Sequence, residues 1–400
     1  MKVKKLVKFI LIPIFRILRI FVRKSNIALF VSSDLYRYSG NTKYLYEYFT
    51  LHSTDDCYWI TESDQVIKYL KLKGYNYISN QNPFKKLIII LKSRTIYSSG
   101  TSFYDPLGLI SSDKNIIKIC TMHGTGPKLT IERTRDLKKT IKLITDINSY
   151  DFVSLSTEYA RQVVGVNQLV LPNSKIKILG TPKQDVLNNK EYTSKKYSEK
   201  NIVKQLYGDI YKNQKIIYYA PTFREYKSKL PIATLEHFDE RDFDNFLNKN
   251  NLLFIYSYHS MSNFNAALND TNNIRFIDIN ENHLFDNIQL MTEIDLLIGD
   301  YSTLTTDFSI LKKPQLFVML DYKKIKDTKG FAEDLKKILP GRDVKTYKEL
   351  CNLILESINN SQAYLNEFNK SIVELSEKYI EDYDTGSCKK FLNFHNSIEK

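Results

Sequence analysis

An apolar segment, residues 115–121, runs straight into Met122-His123-Gly124-Thr125-Gly126-Pro127-Lys128. A histidine at a strand end can take a proton from a hydroxyl, because imidazole titrates near neutral pH. Gly124 and Gly126 let backbone N–H groups approach an anion, Thr125 adds a hydroxyl, and Lys128 adds a cation. A lone histidine is more often structural, but the glycines and lysine beside this one point to function. A second histidine, His259, closes Tyr256-Ser257-Tyr258-His259 at another strand end. Thr222 and Arg224 lie in Tyr219-Ala220-Pro221-Thr222-Phe223-Arg224, which leaves its strand with a hydroxyl and a guanidinium expected to be exposed. In Gly299-Asp300-Tyr301-Ser302-Thr303, Ser302 is a natural N-cap, so the following helix directs N–H groups at the strand end, as a phosphate site requires. Capping alone also accounts for Ser302. Gly180-Thr181-Pro182-Lys183-Gln184-Asp185 leaves one more strand, although turn chemistry by itself explains its glycine and proline. No carboxylate cluster suggests a metal site, and Asp300 and Asp307 are expected to flank the phosphate helix instead. Neither a metal nor a cofactor is expected.

These residues need strands and helices to bring them together. Short apolar runs at 27–32, 57–61, 75–78, 94–99, 115–121, 151–156 and 175–180 read as strands, separated by helices such as those ending near Leu51 and Gly74. Pro83 sits where a helix through about Lys92 would begin. A polar stretch follows Asp185. A second alternating set then occupies 215–221, 251–258, 274–278, 294–300 and 315–320, with helices at about 240–249, 283–292 and 302–311, and three more from Tyr347 onward. Strands alternating with helices predict parallel sheets. The expected architecture is α/β: two doubly wound domains, 25–190 and 191–400, with ligand sites beyond the carboxyl ends of the strands and facing a shared cleft.

Composition supports a globular chain with an anionic partner. The protein has 400 residues, 42% hydrophobic and 26% charged, with a net charge of +13. Four scattered cysteines (Cys57, Cys120, Cys351, Cys388) make neither a disulfide framework nor a zinc site, and they fit a reducing compartment. Residues 1–24 stand apart. They hold Lys2, Lys4, Lys5, Lys8, Arg16, Arg19, Arg23 and Lys24 and no acid, around an uncharged run too short to span a bilayer. Arg16, Arg19 and Arg23 recur at helical spacing among Ile14, Phe15, Ile17, Leu18, Phe21 and Val22. That is the pattern of a helix lying in the interface of an anionic membrane, with packing on the protein's own core as the alternative.

The motifs, taken together and in order, resemble the CDP-glycerol glycerophosphotransferase family, which includes teichoic-acid primases and polymerases. The resemblance runs over nearly the whole chain: Ser39-Gly-Asn-Thr-Lys, His123-Gly-Thr, Gly180-Thr-Pro-Lys-Gln-Asp185, Tyr219-Ala-Pro-Thr-Phe-Arg224, Asp300-Tyr-Ser-Thr303, Asp307-Phe308, Lys313-Pro314 and Pro340-Gly341. Departures exist. The family usually has Trp where Met122 stands and Pro-Leu-Lys where Gly126-Pro127-Lys128 stand. Its Arg-x-His-Pro is here Ser257-Tyr258-His259-Ser260, and its Pro-Arg-x-Asp is Pro182-Lys183-Gln184-Asp185. The resemblance implies a GT-B fold and transfer of glycerol phosphate, or a related polyol phosphate, from CDP-glycerol to a hydroxyl of a polyprenyl-linked acceptor.

On that reading His123 is the general base and His259 the second catalytic histidine. The donor would be held by Thr222, Arg224, His259, Asp300, Ser302, Thr303 and Asp307. Gly124, Thr125, Lys128, Pro182 and Asp185 would form an acceptor or phosphate loop. The expected place is the cytoplasmic face of the membrane, held peripherally. A GT-B glycosyltransferase using a nucleotide sugar is the alternative enzyme. A non-catalytic basic protein is disfavoured, and no nucleic-acid partner is expected, because the basic residues beyond the N-terminus are dispersed.

Overall fold

A computed structural model describes residues 13–14, 17–18, 20–102, 104–106, 109–111, 113–132, 136–188, 202–208, 211, 213–222, 224, 229–258, 264, 268–380 and 386–398. Within these the chain forms two compact units, one comprising 1–125, 135–183 and 382–400, the other 126–134 and 184–381.

The first unit is built on a seven-stranded parallel sheet in the order β3-β2-β1-β4-β5-β6-β7. Its strands are β1 (Ile27–Val31), β2 (Asp56–Ile60), β3 (Tyr77–Ile78), β4 (Thr95–Ser98), β5 (Ile117–Cys120), β6 (Phe152–Leu155) and β7 (Ile176–Ile178). β1 and β4 are buried along their whole length, and β1 accordingly reads as a continuous apolar run without alternation. Strand order reverses between β1 and β4, so the loops after β1, β4 and β5 gather at a topological switch point. The helix Asn41–His52 follows β1.

The second unit carries six parallel strands in the order β10-β9-β8-β11-β12-β13. They are β8 (Lys215–Tyr219), β9 (Leu252–Tyr256), β10 (Ile274–Phe276), β11 (Leu296–Gly299), β12 (Gln315–Phe317) and β13 (Arg342–Asp343). Its switch point falls between β8 and β11. The core gathers Ile217, Phe254, Leu296, Ile298 and Leu316 from the sheet with Phe243 and Leu247 from the helix Glu240–Lys249.

Two features of this division depart from expectation. The first unit ends at Lys183, but the C-terminal helix Ser387–Ile398 returns to it. The reason is a buried polar lock. The His395 ring donates its Nε2–H to the Asp55 carboxylate (3.0 Å) and shares a hydrogen bond at Nδ1 with the Tyr97 hydroxyl (2.9 Å), all three side chains being buried. Rings of Phe49, Tyr97 and Phe152 pack against His395, Phe391 and Phe394. In addition, residues 126–132 belong to the second unit. They join it through an antiparallel bridge of Lys128 with Phe331, with Ala332 N–H donating to Pro127 O (2.8 Å).

Near the N-terminus the described positions of 13–21 are helical, and Ile14, Ile17, Leu18, Ile20 and Phe21 are exposed. Residues 1–12, with Arg16 and Arg19, lie outside the described residues. Lys24 is not a solvent cation: it pairs with Asp113 at 3.3 Å. No described helix is long and apolar enough to cross a membrane.

Candidate active site

In the first unit the site grows from the carboxyl end of β5. Thr121 N–H still bonds Ser98 O (2.8 Å), continuing the ladder with β4, and the chain then breaks away. Met122 makes the break with φ +53°, in the left-handed region that costs an L-residue about 1–2 kcal/mol. His123 follows and is exposed. Gly124 has φ +135°, which only glycine adopts freely. Thr125 is buried, and its hydroxyl bonds Ser156 Oγ at 2.5 Å, so it anchors the loop to the end of β6. The turn that follows β7 begins at the end of β6, where Gly180 O accepts from the Ser154 hydroxyl (3.3 Å). Pro182 is buried at the start of a 3₁₀ turn ending at Gln184, and Asp185 is buried at the head of a short helix.

In the second unit the candidate donor residues surround the end of β11. Asp300, buried, accepts from Thr222 N–H (3.0 and 2.9 Å to its two oxygens), from the Thr222 hydroxyl and from Tyr301 N–H. Arg224 departs from expectation. Its side chain is only 1% exposed, because Asp300 (3.0 Å) pairs with it, Asp321 takes two contacts (2.7 and 3.2 Å) and Thr222 O takes a fourth. It also lies over the Tyr301 ring, whose hydroxyl donates to Asp321 (2.9 Å). Burial would lower the guanidinium pKa, but the two carboxylates outweigh it and hold it well above the ordinary value. Arg224 therefore braces the strand ends and is not an open cation.

Ser302 caps the helix Thr303–Ser309 through Leu304 N–H (3.2 Å), and Ser302 and Thr303 are half-buried there. Asp307 is buried within that helix and accepts from Gln184 Nε2 (2.7 Å). Gly126 comes so close to the helix start that a Cβ would stand 3.0 Å from Thr303 Cγ2. Its lack of a side chain serves close packing. His259 lies outside the described residues.

Near Asp300 the second unit also carries the cation Lys128. Among the described residues no carboxylate pairs with it. Burial lowers its pKa first, and the neighbouring Lys329 lowers it further, against opposing pulls from Asp300 and Glu132. Lys329 is itself buried and held by Glu132 at 3.1 Å. Sequence reasoning missed Asp321, Lys329 and Glu132, and gave no role to Asn41 of the Ser39-Gly-Asn-Thr-Lys motif. Asp321 was findable, since it lies just beyond the carboxyl end of a parallel strand like the other site residues. Lys329 and Glu132 carry no such mark. Among the described residues no group of three or more His, Cys, Asp or Glu is placed to hold a metal ion.

Two doubly wound parallel units, each with polar residues beyond its switch-point strands, make a fold of the GT-B type. The sequence profile of the CDP-glycerol:poly(glycerophosphate) glycerophosphotransferases matches residues 13–393, and the chain belongs to that family. Among relatives, the teichoic acid ribitol-phosphate polymerase TarL of Staphylococcus aureus is 25% identical over 365 residues, 87% of this chain and 60% of TarL. The chain thus spans less than two thirds of that relative. The teichoic acid glycerol-phosphate transferase of the same species is 25% identical over 393 residues, 91% of this chain and 92% of the relative. In structure the chain resembles the wall teichoic acid polymerase TagF, with a TM-score of 0.71 at 20% identity, covering 100% of this chain and 97% of that one.

Proposed function

We propose that the protein transfers glycerol phosphate, or a related polyol phosphate, from CDP-glycerol to a hydroxyl of a lipid-linked acceptor in the synthesis of a teichoic-acid-like polymer. The family match over residues 13–393 carries this reading. The acceptor oxygen attacks the β-phosphorus, which carries the glycerol. The bond from that phosphorus to the bridging oxygen breaks, and CMP leaves with the bonding electrons. His123, exposed at the end of β5, takes the hydroxyl proton. Lys128 and the backbone from Asp300 to Thr303 receive the donor's phosphates, with His259 as a further donor-side group. Arg224, Asp300 and Asp321 keep those strand ends in place.

Attachment at a membrane surface is part of the proposal. Beside the N-terminal residues, the helix Pro83–Lys92 turns Phe84 (80% exposed) and Ile88 (50%) to solvent, one turn apart. Ile14 and Leu18 close an apolar cavity of about 280 Å³ against Pro83, Leu87 and Ile90. Exposed Lys85 and Lys92 lie on the same helix, so the patch suits an anionic lipid surface.

The test is incubation with radiolabelled CDP-glycerol and a lipid-linked disaccharide, counting the units added. Label passing to lipid with matching CMP release is the expected result. Turnover of UDP-sugars with none of CDP-glycerol would sink it in favour of a glycosyltransferase.

A further inference from the structure

We propose that Asn41 is a positioning residue for His123. Asn41 opens the helix Asn41–His52 directly after β1 and is 1% exposed. Its side-chain NH₂ donates to Thr121 O (2.9 Å) and to Met122 O (2.8 Å). Its carbonyl oxygen accepts from Lys183 N–H (3.2 Å). Only this orientation of the amide matches donors to acceptors, so the placement of its nitrogen follows from chemistry.

The two carbonyls belong to the two peptide planes on either side of the Met122 Cα. Fixing both planes fixes φ and ψ of Met122. That residue sits at φ +53°, a conformation an unbranched L-residue leaves when nothing holds it. The next residue is His123. Asn41 therefore holds the turn that lifts the histidine off the end of β5, and the Lys183 contact holds Asn41. It touches no reacting atom in this account and acts through the histidine alone. The neighbouring contacts do not replace it: Thr121 N–H and hydroxyl both bond Ser98 O, before the turn, and Met122 N–H reaches Cys120 Sγ (3.4 Å), which touches only the first of the two planes.

The inference rests on the reading of His123 as general base, and a double-mutant cycle separates the two. The single variants Asn41→Ala, Asn41→Asp and His123→Ala and the double variant Asn41→Ala/His123→Ala are assayed for kcat, and CDP binding is measured by calorimetry. Aspartate keeps the size and the acceptor for Lys183 N–H, but as a carboxylate it cannot donate to either carbonyl. Both Asn41 variants should lose about 10–100-fold in kcat, within the about 100–10,000-fold that a positioned base supplies, with CDP affinity unchanged. In the His123→Ala background, Asn41→Ala should cost nothing more. Equal losses in both backgrounds, or near-native kcat in the Asn41 variants, overturn the proposal. Variants that lose CDP binding together with activity also overturn it, since Asn41 would then be supporting the fold. Near-native kcat in His123→Ala alone overturns the base assignment instead, whatever Asn41 does.

Discussion

His123 and Lys128 are five residues apart, yet they belong to different compact units and should fail differently when changed. Replacing His123 with alanine should cost about 100–10,000-fold in kcat while CDP-glycerol still binds, which single-turnover kinetics and calorimetry would separate. Lys128 should show itself through pH. A lysine must be protonated to bind an anion, and burial beside Lys329 lowers its pKa in the folded protein. CDP affinity should therefore fall as pH rises through that lowered value, earlier than an ordinary lysine would allow. Lys128→Arg should flatten this alkaline limb, because arginine stays charged. An unchanged limb in that variant would take Lys128 out of the anion site. Arg224 is a case of a different kind. Removing it leaves Asp300 buried and uncompensated, so Arg224→Ala should destabilise the second unit by about 3–5 kcal/mol, read by thermal melting. These residues also mark how far the sequence can be read. Histidine, glycine and lysine at a strand end announce chemistry by type and place. The burial of Arg224 was not legible, because its partner Asp321 lies 97 positions away and only the sheet order brings them together.

At the scale of elements, strands were legible because parallel strands buried on both faces leave unbroken apolar runs. β1 at Ile27–Val31 and β9 at Leu252–Tyr256 fall within the segments read from sequence. The helices Pro83–Lys92 and Glu240–Lys249 match their patterns, but others are cut shorter. The segment 302–311 yields only Thr303–Ser309, where the chain turns at Ile310 to reach Lys312 with φ +52°. β13, two residues long, gave no pattern to find. The helix Pro83–Lys92 carries a prediction of its own. Its outward Phe84 and Ile88 are 80% and 50% exposed and stand outside the buried core cluster, so Phe84→Glu with Ile88→Glu should leave the melting temperature nearly unchanged. Binding to anionic vesicles should weaken at least about tenfold, as loss of partly buried apolar side chains requires. Sedimentation with vesicles at low salt checks this, and undiminished binding would place the contact elsewhere.

For the whole molecule, the two-sheet architecture was legible from alternation, but the path of the chain between units was not. Nothing in the spacing of the C-terminal helix says which sheet it will cover. The choice is made by long-range partners: Tyr97 and Asp55 lie 298 and 340 positions from His395. His395→Ala strands a buried carboxylate and hydroxyl and should cost about 2–3 kcal/mol, seen as an earlier melt of the first unit alone. The same return has a consequence for synthesis. The ribosome makes the seven strands of the first sheet, then residues 184–381 of the second unit, and only then the segment that covers Phe49, Tyr97 and Phe152. While roughly two hundred further residues are translated, that aromatic face stays open, for tens of seconds at ordinary elongation rates. A frameshift just ahead of Ser387 would therefore leave Phe49, Tyr97 and Phe152 without their ring partners from the C-terminal helix while the second unit keeps its own sequence whole.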